Sequence, residues 1–262
     1  MMSRCYPFTS CFAPFIENLI TEKRNAGFQY EHAEWRLHKF DEFCNQELIK
    51  TPVITKELAE KWGTLRKTET KVTLAGRISI LRQLSLYMQA YGIQCYVPRN
   101  YSHKSSHIAY VLSIEEIQSL FREIDSYQPA VNAETFHRLA LEYRVLFRML
   151  FCCGLRASEA RKLRLDMSNL ENGVLRIYQS KGHNGRLVYL PDDLRQLCCD
   201  YLKIMTVKYK IRSEWFFPAS DPAKVLQVAS IGKRFRLAWG QTPYARKGVF
   251  QPTVHSLRHT FV

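Results

Sequence analysis

Residues 174–190 read VLRIYQSKGHNGRLVYL. Two short runs rich in valine, leucine, isoleucine and tyrosine, 174–179 and 186–190, flank SKGHNG, a polar stretch with Gly182 and Gly185 that can turn the chain sharply. This pattern predicts an antiparallel hairpin. On either side the apolar spacing is helical. Upstream, residues 136–153 are strongly apolar at helical period and read as a buried core helix stopped by Gly154. Ser113 followed by Glu116 forms a capping box and places a helix over 114–127. Downstream, Pro191-Asp192-Asp193 opens a helix to about 209, and 230–239 and 253–262 are also read as helical. A lone hairpin among helices makes the fold class mainly α with a small β-sheet (α+β).

The N-terminal part is read as all-helical. Helices are expected over 15–25, over 30–48 with Trp35, Leu37, Phe40, Phe43 and Leu48 at helical spacing, from an N-cap at Thr55 to Trp62, and over 72–91 with Ile78, Leu81, Leu84 and Met88. Four such helices make a small bundle. Residues 92–112, GIQCYVPRNYSHKSSHIAYVL, break the pattern. The expected organisation is a helical domain over 1–95, a linker over 96–111 and a second domain over 112–262.

Charge narrows the partner. The chain has 262 residues, with 38 basic and 24 acidic side chains, a net charge of +14. The excess points to a polyanion, nucleic acid before an anionic membrane surface. Residues 1–110 carry 15 basic and 10 acidic side chains, residues 111–262 carry 23 and 14, and no acidic residue follows Asp221. No apolar stretch reaches the ~18 residues of a membrane span, and the N-terminus is a poor signal peptide. Eight cysteines occur without any C-x-x-C, and Cys152–Cys153 and Cys198–Cys199 are adjacent pairs. Zinc is not expected, and the thiols are read as reduced and mostly buried in a cytoplasmic protein.

Three segments carry the candidate chemistry: GLRASEARKL at 154–163, Lys181 at the hairpin tip, and HSLRH at 255–259. Each alone is unremarkable surface charge. On a helix, however, His255, Arg258 and His259 fall at i, i+3 and i+4 and share one face, leaving Val254, Leu257 and Phe261 for the opposite side. Two imidazoles and a guanidinium suit a phosphodiester. Arginine donates a planar fork to non-bridging oxygens, and histidine moves protons near neutral pH.

The order G-L-R-x-S-E, then a hairpin lysine, then H-x-L-R-H-T-F, behind a helical N-terminal domain, closely resembles the tyrosine recombinase (phage integrase) family. The resemblance implies a SAM-like helical core-binding domain and a tyrosine recombinase catalytic domain that together clamp duplex DNA. It implies Arg156 and Arg258 as the arginines on the scissile phosphate, Lys181 as the lysine that protonates the leaving 5′ oxygen, and His255 as the histidine assisting proton transfer. Glu159 matches the orienting carboxylate, and His259 a supporting position. His183 beside Lys181 is a turn residue or a DNA contact. Arg66, Lys67, Lys71, Arg77 and Arg82 are candidate phosphate contacts on the first domain. The family cuts and rejoins strands through a 3′-phosphotyrosyl link with no metal and no nucleotide cofactor, and self-associates as tetramers on paired sites. A cytoplasmic, nucleoid-associated bacterial protein is therefore expected.

One departure stands out. The family's nucleophilic tyrosine lies well downstream of H-x-x-R, whereas this sequence stops at Val262 with no tyrosine after Arg258. Tyr244 precedes His255 in a Pro/Gly-flanked loop and is a poor substitute. The expectation is a site-specific recombinase or integrase with a C-terminally truncated catalytic domain, which binds duplex DNA and in a complete chain cuts and rejoins strands, while this chain alone is not expected to cleave. The alternative is a DNA-binding remnant of an integrase.

Overall fold

A computed structural model describes residues 6–101, 108–178, 185–246 and 250–261. The chain divides into two compact units between His107 and Ile108, inside the stretch read as linker.

The first unit contains α1 (Ala13–Asn25), α2 (Glu31–Gln46), α3 (Lys56–Trp62) and α4 (Lys71–Ala90). Its core is aromatic and aliphatic, with Phe12, Ile16, Leu37, Phe40, Trp62 and Leu84 almost wholly buried. Each such side chain contributes about 1.5–3 kcal/mol. The Thr55 hydroxyl accepts from the Leu58 N–H at 3.2 Å and starts α3. Two periodicity readings are corrected: Leu48 lies beyond the end of α2 and is exposed, and Trp35 lies on the exposed side of the helix. Its neighbour Glu34 is buried instead, paired to Arg24 at 2.6 Å.

The second unit contains α5 (Ile114–Ser126), α6 (Glu134–Cys152), α7 (Ala157–Arg161), β1 (Ser168–Asn169), β2 (Val174–Ile177), β3 (Arg186–Tyr189), α8 (Asp192–Val207), α9 (Val228–Gln241) and α10 (Val254–Thr260). The strands form an antiparallel sheet in the order β1-β2-β3. The expected strand pair is present, its connecting residues 179–184 lying outside the described residues, and β1 adds an edge that the sequence did not announce. The fold is thus mainly helical with a small sheet. Helix α6 is the axis of the unit and packs on α5, α7, α8 and α10. Its Val145, Leu146, Phe147 and Met149 are fully buried. Ser113 and Glu116 make the capping box that starts α5. Within the core, the Tyr201 hydroxyl donates to the Phe216 carbonyl at 2.8 Å, so its buried polar end is satisfied.

No helix among the described residues is long and apolar enough to cross a membrane.

Candidate phosphate-binding site

Helix α6 ends at Cys152, and Gly154 then takes a left-handed φ of +56°. The reversal is tight. The left-handed φ favours glycine, and a Cβ on Gly154 would lie 2.5 Å from the half-exposed ring of Phe261 and have to displace it. The turn sets Arg156 just ahead of α7, in extended conformation, with Glu159 one turn later.

Glu159 is the hub. Its side chain is 3% exposed. Oε1 accepts from Arg156 Nη1 at 2.7 Å and from Arg186 Nη1 at 3.0 Å. Oε2 accepts from the Arg156 backbone N–H at 2.9 Å and from Arg186 Nη2 at 2.8 Å. Burial alone would raise the Glu159 pKa. The hydrogen bonds from Arg186 and Arg156 outweigh it and hold the carboxyl at about 2.

Arg258 reaches the same place from α10. It donates through Nη1 to the Gly154 carbonyl, 104 residues away in sequence, and stands 3.9 Å from Glu159 Oε2. Burial, then the nearby Arg156 charge, lower its pKa; Glu159 opposes them and Arg186 adds to them. Three guanidinium groups thus surround one carboxylate and leave a local charge of about +2. Arg156, Arg186 and Arg258 all keep about a third of their side chains accessible. A cluster of this kind accepts an anion with charge-assisted hydrogen bonds.

On α10, His255 and His259 are both exposed, with rings edge-to-face at 4.4 Å between centroids. Leu257 is fully buried and Val254 packs against the core, as the helical spacing requires. Phe261 departs from the expected apolar side. It follows the last turn of α10, is 49% exposed and lies over Gly154. Thr260 fastens the end of α10, its hydroxyl accepting from the Leu112 N–H at 2.9 Å. Beside His255, a largely apolar cavity of about 780 Å³ opens between α9 and the start of α10, lined by Leu155, Phe235 and Trp239.

The structure therefore brings Arg156, Glu159, His255, Arg258 and His259 into one region of the second unit. Lys181 and His183 lie outside the described residues. Arg186 was read only as a strand residue. Yet it pairs across the hairpin with the buried Ile177 and shares its inward phase with Val188, while Leu187 and Tyr189 face out.

In the first unit, the candidate contacts separate. Arg66, Lys67 and Lys71 are exposed, and Arg82 is half-buried with its guanidinium on the Pro98 carbonyl at 2.8 Å. Arg77 is corrected. It is 5% exposed, doubly bonded to Glu69 at 2.6 Å from each nitrogen, bonded to the Trp62 and Thr64 carbonyls, and stacked on the Trp62 ring. Its donors are committed to the fold, so it cannot serve as a surface phosphate contact.

Residues 111–262 match the phage integrase family. A Sinorhizobium fredii protein named as an integrase/recombinase, y4rB, is 28% identical over 261 residues, covering 96% of this chain and 81% of its own. Among solved structures, XerH site-specific recombinase bound to its difH substrate aligns with a TM-score of 0.66 at 21% identity, over 94% of this chain and 72% of that one. A lambda integrase dimer bound to a core site aligns with a TM-score of 0.65 at 14% identity, over 94% and 83%. At these identities the structural likenesses establish a shared fold.

Proposed function

The chain belongs to the phage integrase family, and we propose that it is a site-specific DNA recombinase or integrase whose second unit grips one phosphodiester of duplex DNA between Arg156 and Arg258. The observation that carries this reading is the convergence of those two guanidinium groups, far apart in sequence, on Glu159 and the Gly154 carbonyl. In the proposed chemistry the two arginines bind the non-bridging oxygens and offset the charge that grows on five-coordinate phosphorus. Glu159 holds Arg156 by backbone and side chain at once and does not react. His255 assists proton transfer with His259 beside it, and Lys181 protonates the leaving 5′ oxygen. No metal or nucleotide is used.

Arg66, Lys67, Lys71 and Arg82 are proposed as weaker, sequence-independent phosphate contacts of the first unit, with His183 at the hairpin. The net charge of +14 supports a DNA partner. Self-association on paired DNA sites and a cytoplasmic location belong to the same proposal. All tyrosines of the sequence precede His255.

The test uses a fluorescent duplex and the purified chain. Arg156→Ala and Arg258→Ala are each expected to weaken binding by about tenfold, the loss for one charge-assisted contact. Unchanged affinity in both variants would refute the phosphate grip.

A further inference from the structure

The four acceptor positions of a carboxylate are all occupied at Glu159. Two are filled by Arg156, through its side chain and its backbone N–H, and two by the forked guanidinium of Arg186. Arg258 stands close by, but at 3.9 Å its Nη1 is beyond hydrogen-bond distance of Oε2, and it donates to the Gly154 carbonyl instead. The carboxylate is 3% exposed, so water offers little alternative to a guanidinium as a partner. An acceptor site left open on Oε2 would therefore be open to the guanidinium that stands beside it without bonding it, that of Arg258.

We propose that Arg186 is a positioning residue: it saturates the Glu159 carboxylate, prevents that carboxylate from capturing Arg258, and so leaves the Arg258 guanidinium available to a DNA phosphate. The inference rests on the phosphate grip proposed above. It differs from two simpler roles. If Arg186 only added positive charge near the site, its loss would weaken DNA binding by the same factor whatever stood at positions 159 and 258. If it only stiffened the root of β3, its loss would lower stability without depending on Arg258. Capture requires both the Glu159 charge and the Arg258 fork, so the effect of removing Arg186 must vanish when either is gone.

The experiment measures duplex-DNA affinity by fluorescence anisotropy for Arg186→Met in three backgrounds: wild type, Glu159→Gln and Arg258→Met. Circular dichroism checks that each variant is folded. In the wild-type background Arg186→Met is expected to weaken binding by at least about tenfold, in keeping with the unpairing of a buried charged group. In the other two backgrounds the same change is expected to alter affinity less than about threefold. Arg186→Lys, which keeps the charge but offers no fork, is expected to fall between wild type and Arg186→Met. It replaces Arg186→Met in all three backgrounds if that variant does not fold. An equal loss in all three backgrounds, or no loss in wild type, would overturn the proposal. If Arg258→Met itself binds DNA as wild type does, the phosphate grip is what has failed.

Discussion

At the scale of single residues, Glu159 and Gly154 set the geometry of the site. Glu159 is ionised far into acid because two arginines hold it, its pKa falling from the usual 4.5 to about 2. A depressed carboxyl stabilises the fold fully above its unfolded pKa, and that stability is lost as pH falls from about 4.5 through 2. The shift corresponds to about 3 kcal/mol at most. Glu159→Gln is therefore expected to flatten the acid limb of urea stability measured between pH 5 and 2. An unchanged limb would contradict the hub role. Gly154→Ala is expected to destabilise by about 1–2 kcal/mol from the left-handed backbone alone. Displacement of Phe261 adds to that, and the loss is measurable as a lower midpoint in thermal unfolding. A midpoint equal to wild type would mean that the turn tolerates a side chain.

Among elements, the buried pair on α6 makes the sharpest test. Arg138 and Glu142 are bonded to each other at 3% and 0% side-chain exposure, and Arg138 also donates to the Ala219 carbonyl at 2.7 Å. Glu142 Oε2 has no partner among the described residues. Burial raises the Glu142 pKa to about 9, so Arg138→Met is expected to cost about 1–3 kcal/mol by leaving a buried carboxyl without its donor, whereas Arg138→Met with Glu142→Met is expected to recover at least half of that. Chemical denaturation of both variants decides it, and equal losses would refute the pair.

The elements also show what could be read from sequence. Helices with long apolar stripes or explicit caps, such as α5 behind Ser113 and α6 before Gly154, were legible because burial and capping act locally. Helix α7 was not, since five residues carry too little periodicity, and β1 was not, since two residues have no pattern. Trp35 misled because Arg24 reaches Glu34 and lets a carboxylate occupy the inward position. Arg77 misled because a buried Glu69 cannot be foreseen eight residues upstream. Motif order singled out Arg156, Glu159, His255, Arg258 and His259, which lie together in the second unit, whereas the approach of Arg186 to Glu159 depends on the register of β3 against β2, a tertiary fact.

For the whole molecule, the account makes one claim: residues distant in sequence fold into a cationic grip on a DNA phosphate. Neutralised phosphates release counterions, so the slope of log affinity against log salt counts them, at about 0.9 per contact on duplex DNA. The most direct measurement is that slope for the wild-type chain and for Arg156→Met/Arg258→Met on the same duplex. The account predicts weaker binding by the double variant at every salt concentration, with a slope shallower by one to two units. Superimposable salt dependences and equal affinities would contradict it.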